Sequence, residues 1–126
     1  LDISSRNLSH FPALPAQFNG LVELHLVNNW ITAIPGSILG RLERLQVLDL
    51  SQNLLAQLPA EIGGLRELRE VYVRENRLVG LPVELADAGR LRVCDFGRNR
   101  ITDIGNVCYP LHSLQGKTGE TDANIP

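Results

Sequence analysis

LDLSQNLLAQLP, residues 48–59, is the stretch on which the reading of this chain turns, because the same frame recurs along it. LHLVNNWITAIP (24–35), VYVRENRLVGLP (71–82) and CDFGRNRITDIG (94–105) align with it without gaps, and LDISSRNLSHFP (1–12) does so with one departure. The frames start at residues 1, 24, 48, 71 and 94, so the interval is 23, 24, 23 and 23 residues. Self-similarity at a fixed interval of this size predicts a solenoid whose repeats stack on one another.

Numbering each frame from its first residue turns the alignment into columns. Position 1 is Leu1, Leu24, Leu48, Val71 and Cys94, and position 3 is Ile3, Leu26, Leu50, Val73 and Phe96. Apolar residues two apart mark a short strand with one buried face. Position 8 (Leu8, Ile31, Leu55, Leu78, Ile101) and position 11 (Phe11, Ile34, Leu58, Leu81, Ile104) extend the apolar wall. Pro12, Pro35, Pro59 and Pro82 follow at position 12, where a fixed φ and a missing donor end the turn and redirect the chain. The second half of each repeat holds apolar residues three apart, such as Ile62, Leu65 and Leu68, or Leu85, Ala88 and Leu91. That spacing predicts a short helical or 3-10 return on the far side of the core.

Position 6 is Asn29, Asn53, Asn76 and Asn99, with Arg6 as the departure in the first frame. A tight turn aims backbone N–H and C=O groups inward, and a carboxamide can both accept and donate. The four residues are therefore expected to form a structural asparagine ladder between successive turns. Asn7-Leu8-Ser9 is also a glycosylation sequon, but Leu8 belongs to the core column.

The frame LxLxxNxLxxLP resembles the leucine-rich repeats of the 23-residue intracellular type found in Ras-pathway scaffolds and Scribble-like polarity proteins. The resemblance covers residues 1–114 and leaves 115–126 as a polar tail or partial C-terminal cap. It implies an α/β solenoid that curves, with a parallel β-sheet on the concave face and short helical or 3-10 returns on the convex face. It further implies that the concave face binds other proteins and that the domain is not itself an enzyme.

On such a face the outward positions of each frame are 2, 4, 5 and 7. They supply a candidate partner-binding set of His25, Val27, Trp30, Asp49, Gln52, Leu54, Tyr72, Arg74, Arg77, Asp95, Arg98 and Arg100. Trp30 is the only tryptophan, and an aromatic side chain at an exposed position is a typical binding anchor. Arg74, Arg77, Arg98 and Arg100 gather in the last two frames beside Asp49, Glu70 and Asp95. Five strands at about 4.8 Å spacing are expected to give a face roughly 24 Å across, enough for a peptide or one lobe of a globular partner.

Composition narrows the function classes. The chain has 126 residues, 44% hydrophobic and 21% charged, which suits one folded domain. A net charge of −2 and a pI near 5.9 argue against nucleic acid and against a polybasic membrane anchor. No apolar run reaches the ~18 residues of a membrane span. Leu1 lies inside a strand pattern and the chain has no methionine, so the sequence reads as cut from a longer protein. Cys94 and Cys108 are too few for a disulfide framework, and with the family resemblance they place the protein in the cytoplasm.

A search for reactive chemistry returns little. His10, His25 and His112 form no ligand-spaced cluster, so no metal and no cofactor is expected. Gly116-Lys117-Thr118 lacks the upstream glycine and the strand of a phosphate loop. Cys108 and His112 are four apart, but Cys108 sits in an apolar column, as Cys94 does. The sequence therefore predicts a non-catalytic protein-binding module within an intracellular scaffold or signalling regulator. Two rivals stand beside it: the substrate-recognition segment of a larger ligase, phosphatase or kinase, and a self-associating structural domain.

Overall fold

With the shared apolar columns limited to positions 1 and 3 before the asparagine, each repeat has room for a very short strand. The computed structural model, which describes residues 1–101, holds four of them. They are β1 (Glu23–His25), β2 (Val47–Asp49), β3 (Glu70–Tyr72) and β4 (Val93–Asp95). All pair in parallel in the order β1-β2-β3-β4, with Leu24, Leu48, Val71 and Cys94 in register along the buried face. Each strand begins one residue before position 1. The first repeat contributes a single bridge, Asp2 to His25, where a fifth strand was expected.

The strands stop at position 2 because the backbone turns soon afterwards. Ser5, Asn28, Gln52, Glu75 and Arg98, all at position 5, have φ between 53 and 60°. The expectation that position 5 continues a strand is thus corrected: it is a left-handed turn residue in every repeat. Backbone hydrogen bonds carry the register past it. Ser5, Asn28, Gln52 and Glu75 donate their N–H groups to Val27, Ser51, Arg74 and Gly97 of the following repeat at 2.8–3.0 Å. A regular ladder of this kind offsets the strain of a left-handed side-chain-bearing residue.

Proline opens each return. Pro15, Pro35, Pro59 and Pro82 immediately precede the 3-10 turn Ala16–Phe18, the helix α1 (Gly36–Leu39), and the 3-10 turns Ala60–Gly64 and Val83–Asp87. Each is the cap residue, with φ between −65 and −72° and an extended ψ, so its ring fixes the entry into the return without removing a helical donor. In the first repeat the role falls to Pro15, three residues beyond the Pro12 of the column. The returns pack closely: a Cβ on Gly63 would overlap the backbone carbonyl of Glu84 in the next return.

Between sheet and returns lies one continuous core. Leu24, Leu26, Ile31, Leu39, Leu42, Leu45, Leu48, Leu50 and Leu55 have no solvent exposure, and the pattern repeats through Ile62, Leu68, Val71 and Leu78 to Cys94. At about 0.8 kcal/mol per buried methylene these columns dominate the stability of the stack. Ile104, the return of the fifth repeat and the tail 115–126 lie outside the described residues.

Candidate functional site

The exposed edge of the sheet is shaped from beneath by the asparagines. The Asn53 side-chain oxygen accepts the N–H of Ile31 at 3.1 Å, while its amide donates to the carbonyls of Leu26 and Leu50 at 2.9 and 3.0 Å. Asn76 accepts from Leu55 and donates to Leu50 and Val73, and Asn99 accepts from Leu78 and donates to Val73 and Phe96. Asn29 accepts from both Arg6 and Leu8. All four are buried, and each ties its own turn to the repeat before it. Arg6, at the same position, is exposed.

On this frame the twelve sequence-predicted residues fall into rows. His25, Asp49, Tyr72 and Asp95 form a half-buried row on the strands themselves, with Val27 and Arg74 two residues further on. Gln52 and Arg98 are exposed on the left-handed turn. Trp30, Leu54, Arg77 and Arg100 form the outermost row. Their N–H groups donate to the carbonyls of Leu8, Ile31, Leu55 and Leu78 in the preceding repeat at 2.7–2.9 Å, which holds them in line. Trp30 keeps 57% of its surface exposed.

Period-two alternation also runs backwards from position 1, to a row of which the sequence reading named Glu70 alone. Glu23, Val47, Glu70 and Val93 begin the four strands and share the outward face with position 2. Glu23 meets Nε2 of His25 at 3.0 Å, and the Tyr72 hydroxyl donates to Glu70 at 2.6 Å. That bond to a carboxylate, with partial burial, pushes the Tyr72 phenol up to about 12. The mix of acids and valines in this row gave no chemical signal, but the alternation itself did.

The aspartates have a second duty. Asp2, Asp49 and Asp95 accept the N–H of Ser4, Ser51 and Gly97 two residues on, at 3.0–3.1 Å, in the local manner of Asx turns. The bonds from Ser4 hold the Asp2 carboxyl below its usual range. Asp95 additionally receives Arg74 across the strand boundary at 3.2 Å. Much of the acidic character of this face is therefore spent on the turn, leaving Arg77, Arg98 and Arg100 exposed at its C-terminal end.

Chemistry of a different kind is scarce among the described residues. No group of three or more His, Cys, Asp and Glu could hold a metal ion there. Cys94 is a free, buried thiol pushed up to about 12 by desolvation, the reverse of what a nucleophile needs. No described helix is long and apolar enough to cross a membrane. Cys108, His112 and the Gly116-Lys117-Thr118 triplet lie outside the described residues.

A family model described as leucine rich repeat matches residues 19–78. Adenylate cyclase of Schizosaccharomyces pombe is 32% identical over 117 residues, which is 90% of this chain and 7% of that protein. A leucine-rich repeat and calponin homology domain-containing protein of Drosophila melanogaster is 48% identical over 69 residues, 54% of this chain and 8% of that protein. The chain thus spans under a tenth of the length of either relative. Among solved structures, a chain of the BIR3–SERK2 complex of Arabidopsis thaliana superposes with a TM-score of 0.76 at 25% identity, covering all of this chain and 66% of that one.

Proposed function

Because this chain is a leucine-rich-repeat protein, we propose that it is a non-catalytic module that holds a protein or peptide partner on its concave face. The observation that carries this reading is the row structure itself. Backbone bonds along the face are satisfied between neighbouring repeats, and its outermost row is left for contact, with Trp30 57% exposed. An aromatic anchor with polar and arginine neighbours has the composition of a binding hot spot. The solved BIR3–SERK2 assembly, to which the chain is similar, joins two proteins, and this supports the same use here.

The module works in the cytoplasm as part of a scaffold or signalling regulator, a reading supported by cysteine economy and by the free thiol of Cys94. A second reading is favoured by the adenylate cyclase relative, of which the chain matches 7%. In it the solenoid selects the partner or substrate of a catalytic domain elsewhere in a longer protein.

The test replaces Trp30 and Arg98 by alanine and compares the partners co-purified with each form of the protein. Both side chains are exposed, so the fold is expected to persist in circular dichroism. Loss of about tenfold in capture is expected from truncating a hot spot and its charged neighbour. Unchanged capture by a folded variant would remove this face from the mechanism.

A further inference from the structure

The outermost row changes character along the solenoid. It reads Trp30, Leu54, Arg77 and Arg100, each one repeat from the last and each pinned by a hydrogen bond to the repeat before it. Its first half is apolar and its second half cationic. Arginines nearby that face carboxylates are closed onto them: Arg74 on Asp95 at 3.2 Å and Arg92 on Glu70 at 3.9 Å. Arg77, Arg98 and Arg100 form no ion pair among the described residues, although Glu75 lies in the same turn region.

We infer that this row binds an extended acidic peptide whose apolar anchor seats on Trp30 and Leu54 while its carboxylates meet Arg77 and Arg100. The inference rests on the concave-face reading above and names the class of partner. Geometry sets the spacing. Rungs about 4.8 Å apart place Arg77 roughly 10 Å and Arg100 roughly 14 Å from Trp30. An extended peptide advances about 3.3 Å per residue, so carboxylates about three and four residues from the anchor match the row. Arg98, two residues before Arg100 on the turn of the same repeat, adds a third cation at that rung. Guanidinium groups suit this task because they pair with carboxylates through two parallel bonds.

The experiment displays random ten-residue peptides and selects them in parallel on the 126-residue chain and on its Arg77→Glu/Arg100→Glu variant. The wild-type pool is expected to be rich in Asp and Glu about three to four residues from an aromatic or aliphatic residue, following the strand geometry. The variant pool is expected to exchange those acids for Lys and Arg while keeping the apolar residue. Synthetic peptides from each pool, measured by fluorescence anisotropy, are expected to prefer their own protein by about tenfold and to lose that preference as salt screens the charges. Trp30→Ala is expected to weaken both peptides alike.

Pools of equal charge, a wild-type pool without acids, or no enriched binder at all would overturn the inference. Binders that lack acids but still lose affinity in Trp30→Ala would sink the acidic partner while leaving the concave face as the binding surface. Binders indifferent to every substitution in the row would remove the surface as well.

Discussion

Replacing Asn53 by alanine would strand the buried N–H of Ile31 and take one of two asparagine donors from each of the carbonyls of Leu26 and Leu50, which keep Asn29 and Asn76. The Ile31 amide is left unpaired in a place water cannot reach, so the expected cost in denaturant unfolding is about 1–3 kcal/mol. The neighbouring Gln52→Ala, on the exposed side of the same turn, is expected to stay within about 0.5 kcal/mol of the parent. Equal effects of the two would show that the ladder contributes no more than surface turn chemistry. The asparagine column was plain in the sequence because one residue type recurs at one position. The left-handed residue beside it was hidden, since Ser5, Asn28, Gln52, Glu75 and Arg98 share no chemistry and are bent by the hydrogen bonds of their neighbours.

Elements of this fold are set by contact between repeats more than by local propensity. A three-residue strand such as β2 has no stability alone; it exists because β1 and β3 flank it. The strand and its buried column were legible from alternation, whereas its true start, one residue before the column, was not. The returns were legible as apolar residues three apart, but their packing was not, because it depends on glycine at Gly63. Gly63→Ala is expected to push the 3-10 turn Ala60–Gly64 away from Glu84 and destabilise the chain by about 1–3 kcal/mol. Gly64→Ala, with open space around it, serves as the control and is expected to be neutral or slightly stabilising, by about 0.4–1 kcal/mol. Thermal unfolding of the pair reads the difference, and matching midpoints would contradict the close packing of the returns.

At the scale of the whole molecule, stacking repeats does two things together. It buries the apolar columns, and it repeats a set of outward positions at a regular interval, so that rows of side chains form without any one repeat being a site. The face was legible because its neighbours on either side, at positions 1, 3 and 6, are so strongly patterned. Its division of labour was not. That Asp49 and Asp95 brace the turn, that Arg74 is held by Asp95, and that Glu70 holds Tyr72 emerge only once distances are known.

The most direct measurement of concave-face binding places a photo-crosslinking amino acid at one position at a time in the protein. Gln52, Leu54 and Arg77 sample the concave side; Glu43, Ala86 and Arg90 sample the returns and the loops that lead from them. The account predicts partner adducts from the first three positions and none from the last three. Adducts confined to the returns, with none from the concave rows, would contradict it.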